Sequence, residues 1–237
     1  MSERVRRAFL TGANRGIGLE YARQLAGAGW RVFASCRAPE EARELAALAD
    51  ERPDRVTVVG CDVADDGSVR AAAAAVAEAD DGLELVLNNA GVGGWRGGIE
   101  ELDLDEVVRV FDVNALGPMR VAREFLPLLR AGREPRRLVQ MTSLMGSIAD
   151  NRSGGAYPYR ISKCALNMAT VNLAHELKGD RVVSVALHPG WVRTDMGGSG
   201  ATLPVEDAVE SLLGTIESLS MENSGGFFDR NGDPLPW

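Results

Sequence analysis

Short runs of apolar residues alternate along this chain with longer segments in which apolar positions recur every three or four residues. The runs Arg6–Thr11, Arg31–Cys36, Arg55–Gly60, Leu83–Asn88, Arg137–Thr142 and Val182–Leu187 read as strands, with Gly226–Phe228 as a short last one. Between them, helical spacing runs over Gly16–Ala28, Glu40–Glu51, the alanine-rich Ser68–Ala79, Asp105–Asn114, Pro118–Leu129, Tyr159–Lys178 and Pro204–Leu219. Within FLTG, VFAS, ELVLN and VSVAL both alternating sets are apolar, as in strands buried on both faces. Repeated strand–helix–strand units predict an α/β fold, a three-layer αβα sandwich around a parallel sheet of about seven strands. No repeat, linker or composition break divides residues 1–237, so a single domain is expected. Thr194–Thr202, TDMGGSGAT, reads either as a mobile loop over a pocket or as a plain connection.

Composition narrows this picture. A formal net charge of −8 argues against a nucleic-acid surface, though not against a local basic pocket for one phosphate. Cys36, Cys61 and Cys164 are odd in number and scattered, which implies no disulfide framework. His175 and His188 lie far apart, with no metal-ligand spacing. The start, MSERVRR, runs into a strand without an apolar secretory region, and the longest apolar run, Ala71 to Ala77, is too short to span a bilayer. A soluble cytoplasmic protein, bound neither to membrane nor to nucleic acid, is expected.

The candidate chemistry lies at strand ends. The first strand runs into Thr11-Gly12-Ala13-Asn14-Arg15-Gly16-Ile17-Gly18, and an amphipathic helix follows. Such a turn lets backbone N–H groups and a helix N-terminus approach a phosphate. Its spacing is G-x-x-x-G-x-G rather than G-x-G-x-x-G. Tyr159 and Lys163 are four residues apart on one predicted helix and share a face. A free tyrosine, with a pKa of about 10, is a poor acid–base catalyst near neutrality, and a nearby ammonium favours its phenolate.

Taken in order, T-G-x-x-x-G-x-G, Asn88-Asn89-Ala90-Gly91, Asp112-Val113-Asn114, Ser143, Tyr159-Arg160-Ile161-Ser162-Lys163 and Pro189-Gly190 with Thr194 resemble the motif set of the short-chain dehydrogenase/reductase family, over residues 6 to about 196. The resemblance implies a Rossmann-type sandwich. It also implies Tyr159 as proton donor, Ser143 bonded to the substrate oxygen, Lys163 on the nicotinamide ribose, and Asn114 holding a water that links Lys163 to solvent. By the same resemblance Gly12, Asn14, Arg15, Gly16, Ile17, Gly18, Asn89, Ala90, Gly91, Pro189, Gly190, Val192 and Thr194 line the cofactor, and Asp62 and Val63 touch adenine. Two of these residues have plainer alternatives. Asp62 could cap the alanine-rich helix, and Asn114 could end its own helix before Gly117-Pro118. Tyr157 competes with Tyr159 but has Ile161 at i+4, and Pro158 disfavours a helical backbone at Tyr157. Sixteen residues separate Ser143 from Tyr159, a few more than is common in the family. The extra residues, around Asp150–Gly155, are expected to form a loop near the pocket, with Ser147 the weaker candidate serine.

An NAD-preferring enzyme places an acid after the second strand. Here Ser35-Cys36-Arg37 stands there, and Arg37, seconded by Arg15, suits a 2′-phosphate. NADPH is therefore expected over NADH, with reduction of a carbonyl to an alcohol as the reaction. Trp95, Met145, Trp191 and Met196 are candidate pocket residues for an apolar carbonyl compound. The segments GSIADNRSGGAYPYRISKCALN, HPGWVRTDMGG and GGFFDRNGDPLPW are similar to the C-factor branch of the family, near small carbonyl reductases. That likeness keeps open a dinucleotide-binding signalling or regulatory protein, beside an alcohol dehydrogenase working in the oxidative direction. The family implies a homodimer or homotetramer packed through Pro118–Leu129 and Tyr159–Lys178.

Overall fold

The computed structural model describes residues 5–237. Seven strands form one sheet: β1 (Arg7–Leu10), β2 (Arg31–Cys36), β3 (Val56–Gly60), β4 (Leu85–Asn88), β5 (Arg136–Met141), β6 (Val182–His188) and β7 (Phe227–Asp229). Their order across the sheet is β3-β2-β1-β4-β5-β6-β7, and every neighbouring pair is parallel. Each strand therefore has to be followed by a crossover, which the helices supply. These are α1 (Gly16–Gly27), α2 (Arg43–Glu51), α3 (Asp66–Ala79), α4 (Leu104–Phe111), α5 (Gly117–Ala131), α6 (Tyr157–Glu176) and α7 (Val205–Ser218).

The pleat divides the core in two. Ala8 and Leu10 of β1 face a cluster with Leu19, Leu25, Trp30, Leu45, Leu212 and Ile216, the layer of α1, α2 and α7. Phe9 faces the other way, into Val69, Val76, Val121, Phe125 and Leu177, and stacks on Phe125 with ring centroids 3.8 Å apart. The expected sandwich is the observed one.

Several boundaries differ from the pattern, each for a local reason. The predicted helix Glu40–Glu51 is a 3-10 turn, Pro39–Glu41, then α2 after Ala42. The alanine-rich helix begins at Asp66, two residues early, because Asp65 caps it by accepting the Ser68 N–H at 2.5 Å. The cap is thus Asp65 and not Asp62, whose carboxylate accepts the Ala64 N–H instead. The long helix starts at Tyr157 rather than Tyr159: Pro158 sits in the first turn, where a missing N–H costs nothing. The helix expected to end at Asn114 does not end there. A π turn, Asp112–Leu116, carries α4 straight into α5, so Asn114 is not a terminator. The segment Thr194–Thr202 is a looped connection whose base is closed by a bridge between Val192 and Leu203.

Candidate active site

Because all strands are parallel, their carboxyl ends share one rim of the sheet. β1 stands between β2 and β4, where the winding reverses and a crevice opens. The glycine turn lies there. Gly12 and Gly16 have φ of +67° and +54°, in the left-handed region. A Cβ on Gly12 would stand 2.8 Å from the Ala90 Cα, and one on Gly18 only 2.0 Å from the Gly12 carbonyl oxygen. The turn after β4 braces it: Asn89 Nδ2 donates to the carbonyls of Thr11 and Gly12, each at 3.1 Å. Thr11 Oγ1 accepts the N–H groups of Asn89 and Ala90 at 3.1 and 3.0 Å. The glycine spacing does not announce this bracing role of Thr11; its signal is the first letter of T-G-x-x-x-G-x-G.

Around this cradle, Asn14 and Arg15 are exposed and Ile17 packs against the core. Arg15 pairs with Asp195 at 3.0 Å, joining the glycine turn to the loop after β6. Arg37, exposed at the end of β2, forms no ion pair among the described residues. Asp62 is half-buried after β3, and Val63 lies buried under Gly117. Beyond β6, Pro189 and Gly190 turn the chain, Val192 is buried, and the Thr194 methyl would meet a Cβ on Gly16 at 3.3 Å.

Ser143 follows β5 and caps the 3-10 turn Leu144–Gly146, its Oγ accepting the Met145 N–H at 3.1 Å. Lys163 is 4% exposed and donates to the Met141 carbonyl at 2.8 Å, with Nζ 5.8 Å from the Tyr159 ring centroid. Ser143 is the neighbouring polar group that favours the Tyr159 phenolate, whereas Ser147 Oγ is engaged by the Asp150 N–H at 3.0 Å. The structure thus brings Ser143, Tyr159 and Lys163 together. Asn114 is fully buried. Its Oδ1 accepts the Val92 N–H at 2.8 Å, and its Nδ2 donates to the Val92 carbonyl at 2.9 Å and to Ser162 Oγ at 3.1 Å. Ser162 in turn donates to the Tyr159 carbonyl at 2.8 Å. The Asn114 amide is therefore a clamp between the loop after β4 and α6. Both of its side-chain N–H donors are used within this clamp. Val92 and Ser162, unremarkable in sequence, complete that clamp.

The titration directions also depart from expectation. Burial pushes the Tyr159 phenol up, and Ser143 and the Arg96 charge only partly offset this. Burial also pulls Lys163 down, from 10.5 to about 8. Between pH 8 and 10.5 the unfolded chain therefore binds more protons at Lys163 than the folded one, so stability rises with pH through that window. Below it both states hold the proton and the penalty is constant. The urea midpoint of the cofactor-free protein should climb between pH 8 and 10 by an increment that Lys163→Met lacks. Parallel curves for the two proteins would refute a depressed lysine.

The four candidate pocket residues stand on three loops along this rim. Trp95 is half-buried between β4 and α4, its N–H donating to Glu106 at 3.2 Å. Met145 is half-buried beside Ser143, its carbonyl accepting from Arg160 at 3.2 Å. Trp191 and Met196 are exposed on the loop after β6, where Trp191 Nε1 donates to the Gly197 carbonyl at 2.8 Å. Among the described residues no cluster of His, Cys, Asp and Glu could hold a metal ion, and no helix is long and apolar enough to cross a membrane.

A family model described as short chain dehydrogenase matches residues 6–202. The C-signal of Myxococcus xanthus is 48% identical over 155 residues, which cover 65% of this chain and 93% of that protein. A 1-hydroxy-2-glutathionyl-2-methyl-3-butene dehydrogenase of Rhodococcus sp. (strain AD45) is 37% identical over 234 residues, covering 97% of this chain and 98% of that one. The crystal structure of the NADPH-bound carbonyl reductase from chicken fatty liver superposes with a TM-score of 0.93 at 36% identity, over 99% of this chain and all of the other.

Proposed function

Since this chain belongs to the short-chain dehydrogenase family and is an NAD(P)-dependent oxidoreductase, we propose that it reduces an aldehyde or ketone to the alcohol with NADPH, Tyr159 delivering the proton. The observation that carries the reading is the meeting of Ser143, Tyr159 and Lys163 beside a glycine cradle at the switch point of the sheet.

The residues fit a dinucleotide phosphate. At Gly12 and Gly18 the space a side chain would take is already filled by neighbouring atoms of the protein, and the first N–H groups of α1, which have no partner within the helix, suit an anion. Gly12, Asn14, Arg15, Gly16, Ile17 and Gly18 would hold the pyrophosphate, and Arg37 the 2′-phosphate. Asp62 and Val63 would flank the adenine. Asn89, Ala90, Gly91, Pro189, Gly190, Val192 and Thr194 would line the nicotinamide half, with Lys163 on its ribose. When bound there, NADPH supplies the hydride.

The chain's own residues do the rest. Ser143 Oγ donates to the carbonyl oxygen and fixes where charge develops. Tyr159 gives its phenolic proton to that oxygen as it becomes an alcohol. The phenol, pushed up by burial, is protonated at neutral pH, the state a donor needs. Lys163, with a pKa of about 8, is still mostly cationic at pH 7 and favours the tyrosinate left behind. Asn114 holds the loop after β4 and α6 in register through Val92 and Ser162. Trp95, Met145, Trp191 and Met196 suit an apolar carbonyl compound.

Parallel titration of NADPH and NADH, followed by absorbance loss across aldehydes, ketones and quinones, tests the proposal; failure to bind either cofactor would end it. Arg37→Asp should weaken NADPH binding about tenfold or more and NADH binding by less than about twofold, since a charge-assisted contact to the 2′-phosphate is lost. Equal losses would discredit the cofactor preference. The likeness to the C-signal favours a second reading, a dinucleotide-dependent signalling protein. NADPH binding without turnover of any carbonyl would turn the balance to it.

The same proposal has residues 1–237 working as one cytoplasmic unit that binds neither membrane nor nucleic acid and forms a homodimer or homotetramer. Leu104 and Val108 on α4, Met119 on α5, and Ile161 and Met168 on α6 leave apolar side chains exposed for such packing. Sedimentation should show multiples of 25.3 kDa, and a monomer alone at micromolar concentration would reject the assembly.

A further inference from the structure

Residues 225–237, GGFFDRNGDPLPW, take no part in the chemistry above, yet they are tied to the segment that joins Ser143 to Tyr159. After β7 the chain reverses at Asp229, whose carboxylate accepts the N–H groups of Asn231 and Asp233 at 2.8 and 2.9 Å. It then runs back along β7. The Asp229 N–H donates to the Asp233 carbonyl at 2.9 Å, and the Leu235 N–H to the Phe227 carbonyl at 2.8 Å. This return path brings the Trp237 indole onto the buried Phe227, with centroids 5.3 Å apart. In that position the Trp237 main-chain oxygen accepts the Ala149 N–H at 2.9 Å.

Ala149 lies near the start of residues 147–156, which hold no helix or strand. A chain of this length without ladder bonds needs external fastening to keep one shape. The structure gives it fastenings at three places. Near the start, Asn167 on α6 donates to the Gly146 carbonyl at 3.4 Å, and within the segment buried Ser147 accepts the Asp150 N–H. Toward α6, Arg160 donates to the Met145 carbonyl at 3.2 Å and to Ser153 Oγ at 2.9 Å, and a Cβ on Gly155 would touch the Arg96 carbonyl at 3.4 Å. The third is Trp237, which reaches the segment from beyond β7. Beside Ala149 sits Ile148, 75% exposed and the most exposed large apolar side chain among the described residues.

We infer that Trp237 is a positioning residue for substrate selection: stacked on Phe227, it holds Ala149 and thereby sets where residues 147–155, with Ile148, stand at the mouth of the substrate cleft. This deepens the carbonyl-reductase reading and rests on it. A small aldehyde needs only Ser143 and Tyr159, whereas a bulky apolar carbonyl compound also leans on the outer segment. Loosening that segment should therefore raise KM for the bulky substrate and spare the small one.

The test compares Trp237→Ala with Trp237→Phe, which keeps a ring for Phe227. In Trp237→Ala, KM for a bulky aryl ketone should rise about fivefold or more, the worth of one ordinary hydrogen bond, with kcat nearly constant. KM for a small aliphatic aldehyde and the Kd for NADPH should stay within about twofold, and Trp237→Phe should restore the bulky-substrate KM. Amide hydrogen exchange, which requires no turnover, should quicken over residues 147–155 while β1 and α1 keep their protection. Unchanged exchange there, or a loss shared equally by both substrates and NADPH, overturns the inference. If exchange quickens as stated but no carbonyl is ever reduced, the tether stands and the carbonyl-reductase reading is what has failed.

Discussion

A Tyr159→Phe protein is expected to bind NADPH as the parent does and to reduce carbonyl compounds about 10²- to 10⁴-fold more slowly, the range over which a positioned acid contributes. The substitution removes one oxygen from a ring that stays in place. The clamp reaching α6 through Asn114 and Ser162 ends on the Tyr159 main-chain carbonyl, not on the phenol, so it survives. Lys163 keeps its bond to the Met141 carbonyl for the same reason. The loss should fall on kcat, with Kd for NADPH within about twofold. Stopped-flow turnover beside cofactor fluorescence titration separates the two quantities. Turnover within about tenfold of the parent would remove Tyr159 from the proton-donor role.

The second large effect is expected at Gly18. A methyl group there would stand 2.0 Å from the Gly12 carbonyl oxygen and 2.6 Å from Asn89 Nδ2. Neither neighbour can give way cheaply, because those two atoms are already bonded to each other at 3.1 Å and hold the turn after β4 against the turn after β1. Gly18→Ala should cost about 2–3 kcal/mol of stability through overpacking, and lower Tm by about 5–10 °C. It should also weaken NADPH binding by more than about tenfold, since the N–H groups that face the phosphates move with the turn. Calorimetry and cofactor titration read both effects. Unchanged NADPH affinity in a destabilised variant would mean that the cradle does not carry the phosphates.

The sequence made the strand ends legible for a physical reason. Positions such as Gly12, Gly16 and Gly18 are fixed by backbone demands that one residue type meets, so their spacing survives as a pattern. The doubly apolar strands were legible because burial on both faces leaves no polar alternation to mislead. The helix through Asn114 was harder. Gly117-Pro118 reads as a stop, yet the wide turn before it already interrupts the ordinary ladder, so the proline N–H is not missed. Pro158 misled in the same way, since a first-turn proline and an interior one look identical in sequence. The clamp of Asn114 on Val92 and Ser162 was invisible because it joins three elements far apart in the chain. The directions at Tyr159 and Lys163 depend on burial, which motifs do not report.

The π turn also fixes the length of its surroundings. Residues 104–131 form one rod in which the wide turn at 112–116 offsets the phase of α4 from that of α5. A turn closed by i→i+5 bonds takes up one residue more than a regular turn, so taking one residue out of 112–116 would close the rod into regular α-helix while α4 and α5 keep their faces, Val110 still toward the core. What would go is the bulge that presents Asn114 to Val92 and Ser162. Across the descent of such chains, the extra residue should therefore persist wherever that clamp persists, while the rod on either side absorbs point substitutions freely.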